Sequence, residues 1–238
     1  MPVPVLYEDN HVLAVVKPPG ILSQEDETGD PDMLTLLKQD LKERHGKPGN
    51  VFLGLVHRLD RTVGGVMVFA KTSKAASRLS ESVRNRDFGK TYVCVVQGQP
   101  AKKQGRLTHF IRKDSKHNRV TVYDKAASES KEAILYYEVA AASGRYSLIA
   151  VRLHTGRPHQ IRAQMAHIGC PLAGDLKYGA KPEAGISDIA LWSTSVSAPH
   201  PVTKEMFSFH SIPSGSDVWT WWTDEQLEAA STMLGSLR

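Results

Sequence analysis

Runs of short apolar strands interrupted by single helices predict an α+β fold, with a mixed, largely antiparallel sheet and flanking helices. Two further observations agree. The 238 residues are 41% hydrophobic, enough to bury a sizeable core without covalent staples. No internal repeat or low-complexity linker divides the chain, so residues 1–238 are read as one domain.

The elements follow in chain order. His11 to Val16 is an apolar strand closed by Lys17-Pro18-Pro19-Gly20, a rigid turn. Residues 24–32 (QEDETGDPD) are polar and read as a loop; Asp30-Pro31 then starts a helix with Leu34, Leu37 and Leu41 on one face. Val66 to Ala70 is a buried strand, and a second helix covers Ser73 to Asn85 with Ala76, Leu79 and Val83 inward. Tyr92–Val96, Ile134–Val139 and Tyr146–Leu153 alternate as strands. Leu107, Phe110, Ile111 and then Val120, Val122 outline a hairpin with KDSKHN at its tip. Pro158 fits the first turn of a helix running to about Ile168, stopped by Gly169, with Ile161, Met165 and Ile168 inward. Residues 180–217 read as loops and short strands. Thr223 to Leu237 reads as a last helix, whose Asp224 and Glu225 suit its first turn. Trp219, Trp221 and Trp222 before it read as packing anchors rather than base-stacking platforms.

Composition narrows the function classes. Cys94 lies in a strand and Cys170 precedes Pro171, so two reduced cysteines are expected rather than a bridge or metal pair. MPVPVLYEDN lacks a basic region followed by an apolar core, and no stretch approaches a membrane span, so a cytoplasmic protein with no membrane partner is expected. A monomer is expected too. A net charge of +5 and a pI near 9.1 favour an anionic partner.

The charge is concentrated. Lys102, Lys103, Arg106, Arg112, Lys113, Lys116 and Arg119 face one acid, Asp114, between residues 102 and 119. Lys113, Lys116 and Arg119 at the hairpin tip suit an RNA backbone gripped without sequence reading. The competing reading is a charged, solvated edge hairpin.

HRLDRTVGGVMVFAK (57–71) places Asp60 between Arg58 and Arg61, ahead of Gly64-Gly65 and the apolar run. Guanidiniums beside a carboxylate favour its charged form. The glycines allow a sharp turn and close approach of a ligand. This is either a working carboxylate or an ordinary surface ion pair worth little; the segment alone leans slightly to the second. Farther on, His159 and Arg162 lie three apart and share a helix face. Structural use and substrate contact are balanced for His159. His154, His159 and His167 fall on separate elements without a second ligand set, so no metal is expected.

Four segments occur in the order of one family: VLYEDNHVLAVVKPPGILSQ (5–24), HRLDR with GGVMVFAK, KTYVCVVQG (90–98) and LHTGRPHQIRAQMAHIGCPLAGDLKYG (153–179). Together they resemble the RluA-type pseudouridine synthases over most of residues 5–180. The resemblance implies the pseudouridine synthase catalytic fold with a central RNA-binding cleft, and isomerisation of a specific uridine in structured RNA, rRNA or tRNA, without a cofactor. It implies Asp60 as catalytic nucleophile and Arg162 as the basic residue paired with it. Tyr92 would stack on the extruded base, where an aromatic face replaces roughly 1–3 kcal/mol of lost stacking. Arg58, Arg61, Arg157 and His159 would contact RNA beside the hairpin. The chain departs from the family in one place: Val63-Gly64-Gly65 stands where Thr-Ser-Gly is usual, so two loop-ordering hydroxyls are missing. Because VLYEDN opens the chain, an N-terminal S4-type RNA-binding domain is not expected. Two rivals are a non-catalytic RNA-binding protein on this fold and a hydrolase using Asp60. The hydrolase is weakened because such enzymes generally pair two carboxylates.

Overall fold

In the computed structural model, which describes residues 3–214 and 217–235, the elements in chain order begin β1 (Val5–Glu8), β2 (Val12–Lys17), α1 (Met33–Arg44), β3 (Gly54–Leu55), β4 (Gly64–Ala70) and α2 (Ser73–Asn85). There follow β5 (Gly89–Gln97), β6 (Gln104–Asp114), β7 (Arg119–Tyr123), β8 (Lys131–Ser143), β9 (Tyr146–Leu153) and α3 (Gln160–His167). The last elements are β10 (Leu191–Pro199), β11 (Met206–His210) and α4 (Asp224–Thr232). The sheet architecture is mixed and mostly antiparallel, with four helices among the described residues. The chain packs as two compact units: one runs to Gly89 and includes Ser193–Ser211, the other takes Lys90–Trp192 and the chain from Ile212 on.

In the first unit the strand order is β1-β2-β4-β10, with β3 also on β4 and β11 on β10. β4 is buried throughout, on both faces, and accordingly reads GGVMVFA without a polar residue. Val12, Ala14, Val66, Val68, Ala75, Leu79 and Phe88 form its core. Helix α2 spans the residues its sequence predicts. Thr72 caps it by accepting from Ala75 N at 3.1 Å, and Ala75 and Leu79 are its buried residues, with Ala76 and Val83 packed at the edge.

Helix α1 starts later than its sequence suggests. Asp32, not Asp30-Pro31, is the N-cap, with extended backbone and its side chain accepting from Thr35 N at 3.2 Å, while Pro31 stays outside the helix and its carbonyl accepts from Leu22 N. Met33, Leu37 and Leu41 therefore face the core and Leu34 is only half-buried.

In the second unit the order is β5-β9-β8-β6-β7, every neighbouring pair antiparallel. The expected hairpin is β6–β7, with Asp114 paired to Arg119 across its tip. The strand expected over 134–139 extends through Lys131–Ser143, bulged between Val139 and Ala141. Residues 180–217 hold more order than expected, because β10 is a nine-residue, mostly buried strand.

Helix α3 begins at Gln160 rather than at Pro158: His159 takes the N-cap with φ +49°, leaving Pro158 exposed outside the helix. Ile161 and Met165 are buried, Ile168 half-buried, and Gly169 follows the C-cap with φ +82°. Helix α4 ends at Thr232 and is closed at its start by a Thr223/Gln226 capping box; Leu237, the expected end, lies outside the described residues. Trp222 is buried, and exposed Trp221 packs on Tyr146 with ring centroids 4.6 Å apart. Both cysteines are free and buried. No helix of the described residues is long and apolar enough to cross a membrane.

Glu8, at the end of β1, ties that edge strand to the rest of its unit, pairing with Lys71 at 2.6 Å, Arg44 at 2.8 Å and His45 at 2.8 Å. Partial burial alone raises its pKa, but the hydrogen bonds from Lys71, His45 and Arg44 outweigh this and bring it to about 2. A depressed folded-state pKa means stabilisation that is complete above the ordinary value of 4.5 and lost as pH falls towards 2. Glu8→Gln should cost about 1–2 kcal/mol at pH 7 after allowance for screening, and flatten the acid limb between those two pH values. Urea unfolding across pH would read this, and parallel wild-type and variant curves would refute it.

Candidate active site

Asp60 sits half-buried on the turn between His57 and β4, and the turn is held by its own backbone. Val63 N–H donates to the Asp60 carbonyl at 3.0 Å. Just before it, Ser23 exchanges two hydrogen bonds with Leu59: Oγ donates to the Leu59 carbonyl at 2.7 Å, and Leu59 N–H donates back at 3.1 Å. Just after it, the Arg61 carbonyl accepts from Gly20 N–H at 2.8 Å. His57, at the start of the motif, accepts Val68 N–H at Nε2 (3.0 Å), which fixes the loop to β4.

Lys17 completes the enclosure. It has no solvent exposure, and its ammonium donates to the carbonyls of Pro18 (3.0 Å), Arg61 (3.0 Å) and Val63 (2.8 Å). An ammonium has three hydrogens and three carbonyls take them, so burial leaves no donor unmet. The KPPG turn and the Asp60 loop are thereby one construction, although 44 and 46 residues separate Lys17 from Arg61 and Val63.

The flanking arginines differ. Arg58 is exposed, whereas Arg61 binds Asp30 at 2.6 Å and the Gly20 carbonyl at 3.0 Å, so part of its guanidinium serves the loop. The Val63-Gly64-Gly65 departure also has a physical reading. Gly65 has φ +115°, and a Cβ there would lie 2.2 Å from the Ser193 carbonyl oxygen, so only glycine fits. Val63 is buried and contributes its carbonyl to Lys17.

In the second unit, the α3 end gathers several predicted residues. Gln160 orders the preceding loop: its Oε1 accepts from Arg157 N (2.9 Å) and Thr155 Oγ1 (2.8 Å), and its Nε2 donates to the Ile134 carbonyl (3.0 Å). Arg157 donates to the Glu132 carbonyl at 2.9 Å. Arg162 is buried, its Nε and Nη2 donating to Asp175 at 2.7 and 3.0 Å. Asp175 was given no role from sequence, although its GDLKYG segment closes the fourth family segment. Tyr178 of that segment places its ring 5.2 Å from the Arg162 guanidinium and 5.5 Å from that of Arg119 on the hairpin. Lys113, Lys116 and Arg119 are exposed, and Asp114 orders the tip by accepting from Lys116 N, His117 N and His117 Nδ1. Tyr92 is buried in β5 opposite Val151 of β9.

One cluster escaped the spacing argument. His109, Asp124 and His167 bring three potential metal-ligating atoms within 4.8 Å of one another. The hydrogen bonding leaves His109 Nε2 a donor rather than a metal ligand. Fully buried Gln164 contacts both the Ala133 carbonyl and His109 Nδ1 through its amide nitrogen, so Nδ1 accepts and neutral His109 carries its hydrogen on Nε2, 3.9 Å from Asp124. His167 Nε2 lies 2.8 Å from the same carboxylate. A metal at His109 Nε2 would require that proton to leave and the Gln164 amide to turn away from Ala133.

Lys17→Met keeps the stem but leaves three carbonyls without their donor. It should lower stability by about 1–3 kcal/mol, and amide exchange should quicken at Val63, whose N–H closes the turn on Asp60. Unchanged exchange at Val63 would show that the loop does not depend on Lys17.

Comparison with known proteins identifies the family. A family model described as RNA pseudouridylate synthase matches residues 11–167. The RNA pseudouridine synthase YhcT of Bacillus subtilis is 32% identical over 204 residues, covering 85% of this chain and 66% of its own length. The tRNA pseudouridine synthase C of Haemophilus influenzae is 33% identical, covering 90% of this chain and 92% of its own length. The structure of human RNA Pseudouridylate Synthase Domain Containing 4 superposes with a TM-score of 0.75 over 97% of this chain and 92% of that one, at 21% identity, and so shares the fold. With the KPPG turn, the HRLDR loop and the TGRPHQIR helix all inside the matched span, the chain belongs to the RNA pseudouridylate synthase family.

Proposed function

We propose that this protein isomerises a uridine of structured RNA, ribosomal or transfer, to pseudouridine, with Asp60 as the nucleophile. The observation that carries the proposal is the Asp60 turn, fastened on both sides by Lys17, Gly20 and Ser23. A carboxylate on such a turn is pre-positioned, and covalent catalysis depends on that. The target nucleotide is flipped out, the C1′–N1 bond breaks, the base turns in the pocket and C5 bonds to C1′; the C5 proton is released and N1 takes one up. Substrate and product are isomers, so the reaction consumes no cofactor.

The other roles are carried over from the family resemblance. Tyr92 supplies an aromatic face to the base, and Arg162 keeps the family's role of catalytic basic residue. Arg58, Arg61, Arg157 and His159 hold the RNA near the reacting nucleotide. Lys113, Lys116 and Arg119 grip phosphates, a role their exposure suits. The name of the Haemophilus relative supports a tRNA target. The protein acts as a cytoplasmic monomer in this reading. Pseudouridine maps of total RNA from cells with and without it identify the modified position.

Asp60→Asn keeps the shape and removes the nucleophile. Tritium release from RNA labelled at uridine C5 should drop to background while RNA affinity stays within a few fold, about 1 kcal/mol. Near wild-type turnover by the Asn variant would remove Asp60 from the mechanism. Turnover by neither protein, with binding intact in both, would favour a non-catalytic RNA-binding protein.

The hairpin has its own test. Replacing Lys113, Lys116 and Arg119 with Gln should reduce the log–log salt slope of RNA binding by about 2–3 units, at roughly 0.7–0.9 per contact, and weaken all RNAs alike. Turnover at saturating RNA should survive. An unchanged slope would mean that the tip is a solvated face.

A further inference from the structure

The loop after α3 holds a residue that no expectation assigned. Tyr178 ends a short 3-10 turn, Leu176–Tyr178, and is 9% exposed. Its hydroxyl accepts the backbone N–H of Val120 in β7 at 2.9 Å and lies 2.8 Å from His159 Nδ1. Its ring neighbours the guanidiniums of Arg119 and Arg162, and Asp175, three residues earlier, takes Arg162 in a two-pronged ion pair. One turn of chain thus touches the hairpin, the N-cap of α3 and the arginine one turn into that helix.

Counting protons decides how the contact with His159 is wired. The Tyr178 oxygen has one hydrogen, and Val120 N–H already points at the oxygen. Of the contacts to that oxygen, His159 Nδ1 alone is able to accept the hydroxyl hydrogen. Nδ1 is then unprotonated, and the neutral ring carries its hydrogen on Nε2. The backbone agrees that His159 is held in place, because its φ of +49° is unfavourable for a residue with a Cβ and persists only when surroundings enforce it. His159 occupies the N-cap position of α3 but makes no side-chain capping hydrogen bond there, so capping does not account for its imidazole.

We propose that Tyr178 is a positioning residue for the isomerisation. It fixes His159 as the Nε2–H tautomer and seats Arg119 and Arg162 against one ring, so that the phosphate-gripping hairpin and the helix carrying Arg162 hold a single arrangement. This inference rests on the pseudouridine synthase reading for its catalytic part and on the proton count for its structural part.

The two parts are read separately. In protein labelled with 15N-histidine, the His159 signals, assigned by their absence in H159N, should show a pyridine-type Nδ1 and a pyrrole-type Nε2 at neutral pH. A pyrrole-type Nδ1 in the wild type overturns the proposal, whether or not any variant folds. Y178F keeps the ring and removes the hydroxyl. It should lose the fixed nitrogen pattern and lower kcat for tritium release at least about ten-fold, with KM within about two-fold. The substrate is total RNA, tritiated at uridine C5, from cells lacking the protein. Y178L removes the ring as well and should also raise KM, because Arg119 loses its seat. A Y178F protein that melts earlier yet keeps wild-type kcat below its melting temperature overturns the positioning role and leaves Tyr178 a packing residue. Wild-type protein that releases no tritium overturns the proposed function and the catalytic part with it, while the nitrogen shifts still decide the proton arrangement.

Discussion

A buried ammonium governs the local architecture around Asp60. Lys17 ends a strand whose preceding residues are buried apolar side chains, and it is as inaccessible to water as they are. Unpaired, a charge there would cost several kcal/mol. The cost is offset only if the loop after Leu59 folds so that Arg61 and Val63 present their carbonyls. The loop therefore has little freedom: a conformation that withdraws either carbonyl strands a charge in the core. Ser23 and Gly20 add neutral hydrogen bonds of the ordinary kind, each worth about 1 kcal/mol net. The resulting rigidity comes from the penalty on alternatives more than from the strength of any contact.

The second unit solves a related problem with a different chemistry. Arg162 is also buried on a helix, and its guanidinium is a flat fork rather than a point charge. Asp175 meets two of its nitrogens, and the Tyr178 ring lies within cation–π range. Where backbone carbonyls suffice for Lys17, Arg162 takes a carboxylate and an aromatic ring from one short loop. That loop needs a glycine at its start: Gly174 has φ +79°, and a Cβ there would lie 2.1 Å from the Asp188 carbonyl oxygen.

What was legible in the sequence divides along this line. Periodicity and local signals placed α2, the β6–β7 hairpin, β9 and the interior strands, because each depends on residues near one another in the chain. They misplaced the starts of α1 and α3, where Asp32 and His159 rather than the prolines set the boundary. The Asp60 loop, the α3 segment and the basic tip were found by motif and charge. The contacts that hold them were not, although Lys17, Ser23 and Tyr178 lie inside the motif segments themselves. Lys17 lies 46 residues from Val63, Ser23 lies 36 from Leu59, and Tyr178 lies 58 from Val120. No windowed pattern sees such pairings. The His109, Asp124 and His167 cluster was missed for the same reason, as it unites a strand, a loop and a helix. One signal was available for Lys17: a single charge closing an otherwise apolar strand must either reach solvent or find partners.

The Val63-Gly64-Gly65 sequence shows why a departure from a motif need not alter the geometry it serves. Hydroxyls at 63 and 64 would order a loop by bonding to neighbouring backbone, which is the usual use of Ser and Thr in turns. Here the backbone at 61 and 63 is already taken by Lys17 and Gly20, and the Val63 side chain is buried. A hydroxyl at 63 would be a polar group in that buried position, in need of a partner of its own. The demand that remains absolute is at Gly65, where the chain turns through positive φ against the Ser193 carbonyl. Loop order is therefore supplied from the KPPG side, the two hydroxyls become dispensable, and the glycine does not.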